Sequence, residues 1–137
     1  MIRVRRAHDA DKNAILEIIG QLDLSYPSQT LDNFWVAEEK EQIVGIAALW
    51  EFRNFYYLCS VGVTPGRQHR GIATKLLNKV LTGLRKEVYL FTIDPGFFRR
   101  FGFQAANEPP KGLPPRTIFA CDRCQSELCV CMRRPAS

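Results

Sequence analysis

From Ile72 onward, apolar residues recur every four positions at Ile72, Leu76, Val80 and Leu84, with Ala73, Leu77 and Leu81 beside them. That spacing predicts one buried face of an amphipathic helix, with Lys75, Asn78, Lys79 and Thr82 turned outward. A second helical face is predicted from Ala14, Ile15, Ile18, Ile19 and Leu22, ending near Gln21–Asp23. Asp9 is its expected N-cap, with Asp11 favourable in the first turn. Elsewhere the pattern is that of strands. Ile2–Arg6 alternates apolar and charged residues, and Phe34–Glu38 and Gln42–Trp50 flank a polar turn at Glu39–Glu41. Gly45 within the second of these predicts a bulge or a close approach. Arg53 and Asn54 offer a further turn, and Phe55–Val63 leads directly into the long helix. Glu87–Thr92 follows that helix, and is parallel to Phe55–Val63 if the helix is a crossover. The whole reads as an α+β domain with a mixed sheet.

The 137 residues suffice for one core and not for two. An apolar share of 46% and a charged share of 24% are those of an ordinary globular chain. No apolar run reaches the roughly 20 residues of a membrane helix, and Met1–Arg6 lacks the apolar stretch of a signal peptide. A cytoplasmic protein without a membrane partner is therefore the expectation. The net charge of +5 suits a ligand with several phosphates. It would also suit nucleic acid, but no recognition-helix or RNA-binding aromatic pattern is present, so no nucleic-acid partner is expected.

Candidate chemistry concentrates where the Phe55–Val63 strand meets the long helix. The first amides of a helix lack internal partners, and with the positive end of the helix dipole they form an anion site. Gly71 lets a phosphate approach the main chain, and Arg67, His69 and Arg70 add side-chain donors. The turn reads as a pyrophosphate cradle. Its order, Gln68-His-Arg-Gly71-Ile-Ala73, resembles the Q/R-x-x-G-x-G/A signature of the GNAT superfamily of N-acetyltransferases, which bind acetyl-coenzyme A. Phe97-Phe-Arg-Arg-Phe-Gly-Phe103 resembles the second hallmark of that superfamily, a short helix ending at a glycine before a strand, with Gly102 as the terminating glycine and Phe103 as a core anchor. The two together cover roughly residues 1–104.

The resemblance implies a central mixed sheet of six to seven strands flanked by about four helices. It also implies an acetyl-coenzyme A-dependent N-acetyltransferase acting by direct attack, without an acyl-enzyme. Amides of Gln68, His69, Arg70, Gly71, Ile72, Ala73 and Thr74 would hold the coenzyme pyrophosphate. The edge formed by Val61, Gly62 and Val63 would pair with the pantetheine arm, and Phe98 would border the coenzyme. The stretch from Leu90 onward is similar to the amino-acid acetyltransferase branch, which includes short N-acetylglutamate synthases. Those enzymes carry Glu-Leu-Arg-Ser where this chain has Tyr57-Leu-Cys-Ser60, so an acidic and a basic side chain are missing. The acceptor stays open among glutamate, another amino acid, a polyamine and an antibiotic.

Amide formation needs a base for the amine and a proton for the departing thiolate. Glu51, at the end of its strand, is the first candidate base and Glu38 the second; Glu38 and Tyr26 are also candidates for the acceptor site. Many relatives place a tyrosine acid at the position of Phe98, which has no proton to give, so Tyr57, Tyr89 or water would substitute. The competing class is a non-catalytic acyl-coenzyme A sensor or a zinc-binding adaptor. Cys59 reads as a small buried side chain rather than a nucleophile. Residues 105–137 read as a proline-rich loop and a cysteine-rich appendage to a single domain. Cys121, Cys124, Cys129 and Cys131 could supply four thiols to a tetrahedral zinc, but their spacing is tighter than that of ordinary zinc knuckles, so free thiols and no metal are the expectation and zinc the alternative. A monomer or homodimer fits a chain of this kind.

Overall fold

The computed structural model describes residues 1–22, 31–112 and 129–136. Seven strands form one sheet in the order β1-β2-β3-β4-β5-β7-β6. They are β1 (Ile2–Arg6), β2 (Phe34–Glu39), β3 (Gln42–Glu51), β4 (Phe55–Val63), β5 (Glu87–Thr92), β6 (Gln104–Ala105) and β7 (Val130–Arg134). The helices among the described residues are α1 (Lys12–Gln21), α2 (Ile72–Val80) and α3 (Pro95–Arg99), besides short 3₁₀ turns at Asp9–Asp11 and Leu31–Asn33. The β4–β5 pair is parallel and every other pair antiparallel, as a crossover through α2 requires. No described helix is long and apolar enough to cross a membrane.

The sheet is covered on both faces. The α2 stripe of Ile72, Leu76, Leu77 and Val80 packs with Val44, Ala47, Leu58, Val88, Leu90, Phe103 and Met132. Leu76 and Leu77 are fully buried, each worth about 2 kcal/mol in removed apolar surface. On the other face Ile15, Ile18 and Ile19 of α1 meet Phe34, Val36, Ile46 and Ala48. Gly45 is there for a close approach: an added Cβ would stand 3.3 Å from Cγ2 of Ile72. A bulge lies beside it, where the β2–β3 register shifts between Ala37 and Glu38.

Two expectations are corrected. Asp9 does not cap α1; the 3₁₀ turn comes first, and the buried Asp11 carboxylate accepts from the backbone N–H of His8 at 2.9 Å. The cysteine-rich tail is not an appendage either. Its β7 inserts between β5 and β6, pairing Leu90 with Met132, and Met132 is wholly buried. Alternating Val130, Met132 and Arg134 with Cys131 and Arg133 gives that segment the period of a strand with two unlike faces.

α3 forms as its sequence dictates. Pro95 occupies the first turn, and Asp94 accepts from the Phe97 N–H at 3.4 Å. Gly102, at φ +89°, ends the helix, and the Phe103 N–H reaches back to the Phe98 carbonyl. Phe103 is then delivered into the core.

Candidate active site

β4 and β5 are paired only from Phe55–Glu87 to Tyr57–Tyr89. Beyond that fork both strands continue, each held on its outer side. β4 stays on β3 as far as Val63–Gly45, and β5 stays on β7 as far as Thr92–Val130. Among the described residues no ladder joins their inner edges past the fork. A bulge helps to part them. The β3–β4 register shifts between Ile46 and Ala48, and Ser60 sits in the left-handed region at φ +54°. An extra residue there bends β4 and raises its twist.

The open end of the fork leads to the turn before α2. Gln68 Nε2 donates to the Val63 carbonyl at 3.1 Å, and the Arg67 N–H donates to the Thr64 carbonyl at 3.1 Å. The loop is thus folded back on the strand end. His69 and Gly71 both have positive φ, +66° and +79°, on either side of Arg70. Gly71 is the N-cap of α2, with no side-chain cap and no acidic residue in the first turn. A Cβ built on Gly71 would meet nothing within 4 Å. Gln68, His69, Arg70 and Gly71 are exposed, Ala73 and Thr74 half-buried, and Ile72 is turned into the core. The helix dipole therefore ends at a glycine-bearing turn that no side chain among the described residues caps, a setting suited to an anion.

The cradle's basic side chains divide. Arg67 is held in an ion pair with Glu39 of β2, so it braces the loop. His69 and Arg70 remain exposed beside Gly71. A cation that spacing did not reveal joins them. Arg100, from α3, donates from Nη2 to Oγ1 of Thr74 at 3.4 Å, in the first turn of α2. Its guanidinium lies over the rings of Phe97 and Phe101, at 5.6 and 5.9 Å from their centroids. The contact spans 26 positions, so only the motif Phe97–Phe103 pointed towards this helix at all.

The face of the sheet at the fork is aromatic. Tyr57 is buried and packs against Phe91 with centroids 6.2 Å apart; Phe55 meets Tyr89 edge-on at 5.8 Å. The Tyr89 hydroxyl donates to Oε2 of Glu87 at 2.7 Å, and Arg133 Nε donates to the same oxygen at 2.6 Å. Arg133 first, then Tyr89, holds the Glu87 carboxyl below its ordinary range. Burial first, then Glu87, pushes the Tyr89 phenol up, so it keeps its proton beyond neutral pH.

The sequence-predicted acids lie elsewhere. Glu51 is exposed at the far end of β3, opposite Tyr56, and Lys86 Nζ donates to it at 2.7 Å. That ammonium lowers its pKa and weakens it as a base. Glu38 is taken by Arg5, which donates from Nη2 at 2.9 Å, two strands away from β4. Phe98 sits among Phe97 and Phe103, with centroids 5.0 and 5.9 Å away. Tyr26, Cys121 and Cys124 lie outside the described residues; Cys59, Cys129 and Cys131 are half-buried.

Comparison with known proteins agrees with this geometry. The family model described as an acetyltransferase (GNAT) domain matches residues 30–105, more than half the chain. N-acetylglutamate synthase from Neisseria gonorrhoeae, solved with coenzyme A and N-acetyl-glutamate, superimposes with a TM-score of 0.76 at 19% identity. That match covers 100% of this chain and 35% of the other, so the chain spans about a third of the length of that synthase. A GNAT-family acetyltransferase from Staphylococcus aureus Mu50 gives a TM-score of 0.74 at 20% identity, covering 100% of each chain. Rv2747 from Mycobacterium tuberculosis, solved with CoA and NLQ, gives 0.74 at 19% identity, covering 98% of this chain and 99% of the other. At these identities the superpositions speak for the fold, and the family model for the lineage: the chain belongs to the GNAT acetyltransferase family.

Proposed function

We propose that this chain transfers an acetyl group from acetyl-coenzyme A to the primary amine of a small molecule by direct attack. The observation that carries the reading is the α2 N-terminus: a first turn without a side-chain cap, opened by a left-handed glycine beside open space. Amides of residues 70–74 and the side chains of His69 and Arg70 would hold the pyrophosphate. Val61, Gly62 and Val63, on the β4 edge beyond the fork, would align the pantetheine arm. Acetyl-coenzyme A supplies a thioester whose acyl carbon is open to an amine.

The residues at the fork have proton-handling roles. Tyr89 holds its proton at neutral pH and stands at the last paired position of β5, so it is the acid we assign to the departing thiolate. Glu87 and Arg133 orient that hydroxyl. Tyr57, buried under Phe91, builds the floor. Glu51, at the far end of β3 opposite Tyr56, is too firmly held by Lys86 to be the first choice of base. The similarity to a synthase solved with N-acetyl-glutamate makes an amino acid the first acceptor to try.

One observation favours a second reading, an acyl-coenzyme A sensor: the family's usual tyrosine position is Phe98, which is spent on aromatic packing. Release of free thiol from acetyl-coenzyme A across a panel of amines decides between them. Amine-dependent release supports the transferase; binding without turnover on every amine supports the sensor.

A further inference from the structure

Between α2 and α3 runs a groove of about 410 Å³, lined by Asn78, Leu81, Thr82, Gly83, Arg100, Phe101 and Arg134. Two guanidinium groups line it and, among the described residues, no carboxylate does. Thr74, Asn78 and Thr82 recur every four residues along α2, so they form one polar stripe from its first turn to just past its end. The groove is thus joined to the candidate cradle through Thr74, the residue that Arg100 holds.

Three other arginines are spent on ion pairs. Arg5, Arg67 and Arg133 are each neutralised by a carboxylate. Arg100 instead donates to a hydroxyl and lies across two aromatic rings, with no ion pair among the described residues. Arg134 lies over Gly102 and donates from Nε to the Phe101 carbonyl at 2.9 Å. A guanidinium fixed in place by aromatic faces loses little freedom when it meets an anion, and its planar fork fits phosphate oxygens.

We propose that this groove recognises a second, separate phosphate of the bound coenzyme, the 3′-phosphomonoester on its ribose, with Arg100 as the specificity-determining residue and Arg134 as the second cation. This rests on the coenzyme reading given above. One helical turn, about 5.4 Å, separates the first turn of α2 from the level of Asn78. A ribose can bridge that step, so a pyrophosphate in the cradle would leave its 3′-phosphate beside Arg100.

The test is calorimetric titration of the full chain with coenzyme A and with dephospho-coenzyme A, which differ only in the 3′-phosphate. The wild type should bind coenzyme A about 10-fold or more tighter, the effect of a charge-assisted hydrogen bond. Arg100→Gln should lose most of the preference, weakening coenzyme A far more than dephospho-coenzyme A; Arg100→Lys should keep part of the preference. Thermal unfolding of each variant checks the fold. Equal binding of the two ligands by the wild type, or equal weakening of both by Arg100→Gln, overturns this inference and leaves the cradle standing. Absence of binding by either ligand overturns both.

Discussion

Gln68 Nε2 donates to the carbonyl oxygen of Val63 at 3.1 Å, tying the turn before α2 to the strand from which it emerges. The bond explains why the signature begins with a side chain that can reach backwards. On the coenzyme reading, Gln68 would shape the cradle and leave phosphate contact to the amides that follow. Replacing it with leucine removes one part-buried hydrogen bond, worth about 1 kcal/mol. Gln68→Leu should weaken coenzyme A binding about 5-fold in calorimetry, since 1.4 kcal/mol is tenfold, with the unfolding midpoint lowered by no more than a few degrees. Unchanged affinity would mean the loop holds its shape without that bond.

Arg5 fastens β1 to the turn before α1 and to β2 at once. Its Nη1 and Nη2 donate to Asp11 at 2.7 and 3.0 Å, and it also reaches Glu38. Asp11 is nearly buried, and Arg5 first holds its pKa below the ordinary value of about 4. A carboxylate depressed in the folded state stabilises above its unfolded pKa, and that stability fades as pH falls through the folded value. Asp11→Asn should therefore cost about 3 kcal/mol at neutral pH, the lower end for breaking a buried pair. Denaturant melts should also show the variant losing less than the wild type below about pH 4. A neutral-pH loss under about 0.5 kcal/mol would class the pair with surface bridges.

Glu51 and Tyr89 give a contrast in one assay. Loss of a positioned acid costs about 100-fold or more, so Tyr89→Phe should lower kcat by that order with the KM for acetyl-coenzyme A unchanged. Because burial raises the Tyr89 pKa, the wild-type rate should fall only above about pH 10, the ordinary phenol value. Glu51→Gln, at the Lys86 end of the sheet, should leave kcat/KM within the scatter of replicate assays. A large loss for Glu51→Gln, or none for Tyr89→Phe, reverses the assignment.

Local features were legible in the sequence. The α2 stripe, the glycine at its start, the Gly102 helix end and the parallel β5 each depend on residues a few positions apart. Side-chain pairings across the fold were not. Nothing in spacing says that Lys86 claims Glu51, that Arg5 claims Glu38, or that Arg100 arrives at Thr74, because each contact joins segments 26 or more positions apart. The place of β7 was hidden for a related reason. Crowded cysteines and prolines give the segment the composition of an appendage, while the alternation around Met132 holds the strand signal.

The central claim is that main-chain amides at the start of α2 grip the coenzyme. Gly71→Glu places a carboxylate in the open space beside them, at a backbone cost of about 1 kcal/mol for leaving glycine at φ +79°. Gly71→Ala pays the same backbone cost without the charge. Calorimetric titration with coenzyme A should show Gly71→Ala, whose Cβ enters the space the phosphate needs, binding more weakly than the wild type and Gly71→Glu without measurable affinity, both still folded. Wild-type affinity in a folded Gly71→Glu variant would contradict the account.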